Sequence, residues 1–222
     1  MQVAGGASRY GPFMNATDHD RIVDAIRIWF DAKADAAARS AALGRAQEGR
    51  RSQVTGALHL LGFEELLLAE IHAAGGQAIS VLRNRSATLA GYYRPSKSWD
   101  LLVLQHGEPS VAIEFKSMEG SEGKNLNNRA DEMFGVAEDA KRAAEHGILP
   151  GFLRRVFVFI MESNAASNLP RNGVRAHGRP DAAFDGLSYL ERMALMLERM
   201  RDTGLYHAVW ALGAIRGPIV EF

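Results

Sequence analysis

Apolar and polar positions alternate along the chain with two different periods, and the switches between them outline the elements. Ile22, Val23, Ile26, Trp29 and Phe30 follow a capping-type start at Thr17-Asp18. Their spacing fits one helix face and predicts a helix running through the Ala-rich stretch to about Gly44. Gly49-Arg50-Arg51-Ser52 reads as a loop. Leu58, Leu61, Phe63, Leu66, Leu67 and Ile71 predict a second helix, from about Thr55 to Gly75-Gly76. A short strand is expected from Ala78 to Leu82. Two apolar runs, Ser98 to Leu104 and Ser110 to Lys116, flank the turn-forming residues Gln105-His106-Gly107-Glu108-Pro109 and predict a hairpin. Gly120, Gly123 and several asparagines then predict a loop that feeds a helix from about Asn128 to His146. Arg155 to Met161 reads as a buried strand, and Asn164 to Pro180 as a long irregular basic segment. A helix from about Gly186 to Thr203, with Met193, Met196 and Met200 on a packed face, and a strand from Tyr206 to Ile215 complete the pattern. No repeat, linker or low-complexity tract interrupts it. The expectation is one α/β domain over residues 1–222, a mixed central sheet flanked by helices, with residues 1–16 as a loose N-terminal segment.

Composition narrows the function classes. The chain has 222 residues, 47% hydrophobic and 23% charged, which places it among globular proteins and excludes wholesale disorder. It contains no Cys, which excludes disulfide scaffolds, thiolate zinc sites and cysteine nucleophiles. The seven histidines form no i, i+4 pair, so a zinc site is not expected. The start, Met1-Gln2-Val3-Ala4-Gly5-Gly6, does not read as a signal peptide, and no apolar run approaches the ~20 residues of a membrane span.

The formal net charge is zero, from 26 basic and 26 acidic residues, which taken alone argues against a nucleic-acid partner. The distribution changes this. From Ile71 to Trp99 there is no Asp or Glu, while Arg83, Arg85, Arg94 and Lys97 occur; from Ser163 to Pro180 the same holds, with Arg171, Arg175, Arg179 and His177. Met118 to Ala140 is instead rich in acids. Separate basic and acidic segments suit a surface that grips phosphates beside a divalent metal.

Glu114 and Lys116 lie two apart on a predicted strand and so project from one face. Asp100 and Glu114 each lie seven residues from Gly107, which sets them close to opposite one another in the hairpin. Two convergent carboxylates form a hard-oxygen site suited to Mg²⁺, and a lysine at its edge can orient or deprotonate an attacking water. That arrangement suits in-line hydrolysis of a phosphodiester. The alternative for Glu114 and Lys116 is an exposed ion pair worth under about 1 kcal/mol. Lys124, Asn125, Asn127, Asn128 and Arg129 follow at once; Asn pairs with adenine and Arg with guanine through the major groove. The segment Gly120 to Asn125 does not have phosphate-loop spacing.

The runs Trp99-Asp100-Leu101-Leu102-Val103-Leu104, Ala112-Ile113-Glu114-Phe115-Lys116-Ser117 and Gly120 to Arg129 resemble the XhoI family of type II restriction endonucleases, members of the PD-(D/E)xK nuclease superfamily. Similarity extends to Val54–Phe63, Tyr189–Arg192 and Leu205–Ala208, most of the chain from about Gly49. Trp99 stands where the superfamily name has Pro. The resemblance implies a restriction-endonuclease-like fold and a Mg²⁺-dependent homodimer in the cytoplasm of a prokaryotic cell. It implies cutting of double-stranded DNA at a palindrome containing CTCGAG, leaving four-base 5′ overhangs. It further implies a DNA methyltransferase in the same system, without direct contact. Asp100 and Glu114 would be metal ligands, Lys116 the water-orienting residue and the Phe115 carbonyl a further ligand. Glu65, with Glu64 and Glu70 as rivals, would add a helix carboxylate. Lys124, Asn125, Asn127, Asn128 and Arg129 would contact DNA, as would Arg171, Arg175 and Arg179. A structure-specific repair nuclease of the same superfamily and a non-catalytic DNA-binding protein are the competing expectations.

Overall fold

Ile22, Val23, Ile26, Trp29 and Phe30 are all buried along α1 (Ala16–Ala42), the apolar stripe that their spacing predicts. The structure is a computed structural model and describes residues 16–42, 59–75, 79–171 and 177–217. The expected loop at 49–52, the expected helix start near Thr55 and, apart from Ala16, the expected loose N-terminal segment lie outside them. α2 (Leu61–Gly75) approaches α1 where Gly62 meets Ala25. A Cβ at position 62 would stand 2.7 Å from the Ala25 Cα, so this contact requires glycine. Arg21 ties the same two helices: its guanidinium donates to the Leu66 carbonyl at 3.3 Å and pairs with Glu70.

The chain divides into two compact units, residues 1–70 and 71–222. The division falls inside α2 and not at a linker, so composition does not mark it.

In the second unit β1 (Ile79–Arg83), β4 (Leu101–Gln105), β5 (Glu108–Met118), β6 (Arg154–Glu162) and β7 (Ala208–Ala214) form one sheet, in the order β1-β4-β5-β6-β7. β4 pairs antiparallel with both β1 and β5, while β5, β6 and β7 run parallel, which makes the sheet mixed. β2 (Thr88–Ala90) and β3 (Ser96–Ser98) pair separately as a small hairpin. Parallel neighbours need crossovers, supplied by α3 (Glu122–Glu145) and α4 (Tyr189–Asp202). α3 buries Leu126, Met133, Ala137 and Ala140 in one cluster with Met193, Leu197 and Met200 of α4 and Phe157, Phe159 and Met161 of β6. The Met face of α4 is thus packed. Among the described residues no helix is long and apolar enough to cross a membrane.

Two of the boundaries that differ from expectation bear on the site. α3 begins at Glu122, not near Asn128, so the asparagines lie within the helix and not in a loop. Gly120 (φ 70°) and Ser121 (φ 56°) turn the chain sharply out of β5, and burial of Leu126 outweighs the poor helix propensity of Gly and Asn. β4 begins at Leu101, so Trp99 and Asp100 stand in the bend between β3 and β4 and not inside a strand.

Candidate active site

The hairpin of β4 and β5 turns through His106 (φ 53°) and Gly107 (φ 84°), two positive-φ residues matching a two-residue reversal. Next to the turn Gln105 pairs with Glu108 and Leu104 with Pro109, but from Val103 onward the register shifts by one residue, so Val103 faces Val111 and Leu101 faces Ile113. The extra residue is Ser110, whose hydroxyl donates to the Val103 carbonyl at 3.1 Å. One step beyond Leu101–Ile113 this register sets Asp100 opposite Glu114. Without the bulge Asp100 would face Ile113, on the other side of the sheet. Counting from Gly107 reaches the same pair, although the turn is centred between His106 and Gly107; the bulge supplies the offset.

Asp100 and β5 are joined directly: the Phe115 N–H donates to Asp100 Oδ2 at 2.7 Å. The Phe115 side chain and Ile113 are buried on the opposite face. Glu114 is only 3% exposed, so it is no surface ion pair. Burying a carboxylate is costly unless it is paired, and both oxygens of Glu114 are: Lys116 donates to Oε1, and Lys97 of β3 donates to Oε2 at 2.9 Å. Burial, and next the Glu114 charge, raise the Asp100 carboxyl above its ordinary value; the Phe115 N–H, Lys116 and Lys97 act in the opposite direction. Two carboxylates held together against their repulsion suit a hard cation. Among the described residues no group of three or more His, Asp or Glu side chains is placed to hold a metal, so a cation here would find this pair and backbone oxygen. Mg²⁺ fits such a set because it retains several waters. A cavity of about 490 Å³ opens over the site, lined by Arg94, Lys97, Glu114 and Lys116 and by Asp131 and Glu132 of α3.

The remaining expected residues are distributed differently. Lys124, Asn125, Asn127, Asn128 and Arg129 occupy the first turns of α3, where Asn125, Asn128 and Arg129 share one side and Asn127 falls on another. Asn127 lines a second cavity, with Tyr189, Arg192 and Arg199, and Arg129 pairs with Glu132 at 2.6 Å. Arg171 is half-buried, stacked 4.8 Å from the Tyr189 ring centre, and its carbonyl accepts from Arg192 at 3.0 Å. Arg179 is exposed, and Arg175 lies outside the described residues. Glu65 belongs to the first unit, exposed on α2 in a groove with Arg21 and Asp24, while Glu64 beside it is buried.

Two residues that hold the site together were missed as such in the sequence. Lys97 was legible only as one of a basic run, although Ser96 and Ser98 beside it are exposed and the strand alternation turns Lys97 inward. Asp139 of α3, 3% exposed, accepts from the Tyr92 and Tyr93 N–H groups at 2.9 and 2.7 Å and from Arg94 Nε at 2.9 Å, clamping the loop that leads to Lys97.

Comparison with known proteins gives consistent matches. The family described as restriction endonuclease XhoI matches residues 39–217. The type II restriction enzyme XhoI of Xanthomonas vasicola is 32% identical over 163 residues, 70% of this chain and 65% of that enzyme. The type II restriction enzyme AbrI of Azospirillum brasilense is 39% identical over 123 residues, 53% of this chain and 55% of that enzyme. The type II restriction enzyme BstVI of Geobacillus stearothermophilus is 29% identical over 163 residues, 68% of this chain and 71% of that enzyme. The matches thus span 65% and 55% of the XhoI and AbrI enzymes, less than two thirds of each. No solved structure gives a significant match.

Proposed function

The chain belongs to the restriction endonuclease XhoI family, and from that premise we propose that it is a type II restriction endonuclease hydrolysing phosphodiester bonds of double-stranded DNA. The observation that carries this reading is that Asp100 is bonded to the strand bearing Glu114 and Lys116, and that these last two line a cavity. Asp100 and Glu114 would hold Mg²⁺, with the Phe115 carbonyl as a further ligand. When bound there, the cation stabilises charge on the phosphate and acidifies a water. Lys116, held by Glu114, orients the attacking water and offsets the charge developing on the phosphate. The Phe115 N–H holds Asp100 in place, and the buried surroundings of Glu114 exclude bulk water.

The finer reading rests on the family. The site cut is a palindrome containing CTCGAG, leaving four-base 5′ overhangs. The active form is a homodimer, since a two-fold axis in the DNA matches one in the protein. The enzyme acts in the cytoplasm of a prokaryotic cell alongside a methyltransferase that it does not contact. Lys124, Asn125, Asn127, Asn128 and Arg129 supply DNA contacts from α3, with Arg171, Arg175 and Arg179 as further candidates; Glu65 is the candidate additional carboxylate. Incubating the protein with plasmid DNA and Mg²⁺ and sequencing the ends tests this. Discrete cuts at CTCGAG are expected. Cuts only at branched DNA would make it a structure-specific nuclease, and intact plasmid would remove the nuclease reading.

A further inference from the structure

Lys97 reaches Glu114 from outside the five-stranded sheet. It sits in β3, on the small hairpin, and its side chain is 21% exposed, with Nζ 2.9 Å from Glu114 Oε2 and 5.6 Å from the centre of the Trp99 ring. Its origin is fixed. Asp139 grips Tyr92, Tyr93 and Arg94, and a Cβ at Gly91 would stand 2.5 Å from Asp139 Oδ2, so the loop before β3 lies flat against α3. The head group also donates to the Ser98 carbonyl of its own hairpin, and on a four-carbon stem ending at a cavity it can swing away from Glu114.

Charge and connectivity decide which ammonium yields to a cation. Asp100 and Glu114 carry two negative charges, balanced by Lys97 and Lys116. Both Glu114 oxygens are capped by these lysines, and Asp100 Oδ2 is taken by the Phe115 N–H. A divalent cation between the carboxylates therefore meets an ammonium on whichever Glu114 oxygen it approaches, and it repels both lysines. Lys116 lies two residues from Glu114 on the same strand face, so its backbone moves with that of Glu114. Lys97, on a separate hairpin, can leave.

We propose that Lys97 is the exchangeable counter-ion of Glu114: it holds the carboxylate in position, yields it to the divalent cation, and so sets the affinity of the site for metal. Lys97 is thus a positioning residue acting through Glu114, and the inference rests on the metal-dependent reading above. Calorimetric titration of the intact protein with Mn²⁺, without DNA, tests it in Lys97→Gln, which keeps a hydrogen-bond donor without the charge, and in Lys97→Arg, which keeps the charge. The Gln variant is expected to bind Mn²⁺ about tenfold more tightly than wild type, and the Arg variant to match wild type. Equal or weaker binding by Lys97→Gln, or equal tightening in both variants, overturns the proposal, as does the lack of Mn²⁺ binding by all three proteins. If Lys97→Gln does not fold, lysine-selective NMR of the wild-type protein carries the same test. Saturating Mg²⁺ has to move the Lys97 head-group resonance toward its solvent position, and an unmoved resonance overturns the idea. Neither measurement reads DNA cutting, so a protein that binds metal but leaves plasmid intact fails the nuclease reading alone.

Discussion

Asp139 and Glu114 are two carboxylates buried to the same degree, each 3% exposed, on the same face of the sheet and in the same unit. They are satisfied in opposite ways. Asp139 accepts from two backbone N–H groups and from Arg94, whose guanidinium also donates to the Gly135 carbonyl at 3.0 Å. None of the backbone donors can leave unless the loop comes away. Among the described residues Glu114 accepts only from lysine head groups on flexible stems. A carboxylate closed by backbone donors is committed to structure, whereas one closed by mobile ammonium groups can change partner. Burial alone does not distinguish them; the kind of donor does.

This contrast can be broken most directly at Glu114. Glu114→Gln is expected to lower cleavage on the order of 10⁴-fold while duplex binding persists; plasmid cleavage alongside a binding titration measures both, and a fully active variant would remove Glu114 from the chemistry. Next in size, Asp139→Ala should cost about 1–3 kcal/mol of stability by removing the acceptor of two N–H groups and the carboxylate partner of Arg94, which keeps its bond to the Gly135 carbonyl. Urea unfolding checks this, and an unchanged midpoint would show that the clamp holds nothing. Gly91→Ala drives a Cβ against Asp139 Oδ2 and should cost about 1–3 kcal/mol in the same assay. Arg129 pairs with exposed Glu132, so Arg129→Ala should shift stability by less than about 1 kcal/mol. If it reads a base, the same variant loses binding to the cognate duplex more than to other sequences.

The smallest effect concerns pH. The Asp100 carboxyl is raised above its ordinary value of 3.8, chiefly by burial and then by Glu114. The folded protein thus holds that proton more tightly than the unfolded chain. The stability gained from it is complete below 3.8 and is lost as pH rises through the folded-state value. Asp100→Asn keeps an oxygen for the Phe115 N–H and removes the titration, so it should melt higher than wild type at neutral pH, with the gain shrinking toward acid. Thermal melts across pH 3 to 8 show whether it does; a lower melting point at neutral pH would mean the ionised Asp100 is stabilising.

The elements themselves were legible along the chain. Alternation marks β5 and β6, and the helical stripe from Ile22 to Phe30 marks α1, because each depends on spacing within a few residues. Failures came where a distant contact outweighs local preference. The Gly and Asn residues after Ser121 read as a loop, yet burial of Leu126 against the sheet makes them helical. Ser110 carries no composition signal as a bulge, since one residue more or less between strands is decided by the pairing of both.

By itself, then, the sequence determined an α/β chain and the projection of Glu114 and Lys116 from one face of a strand, since side-chain alternation is a property of a single strand. Only the tertiary structure decided that the bulge at Ser110 turns Asp100 to the face of Glu114, that Glu114 is buried, and that Lys97, held in reach by Asp139 on α3, shares it with Lys116. These pairings join residues far apart in the chain, where local spacing carries no information and the cost of burying an unpaired charge selects the partner.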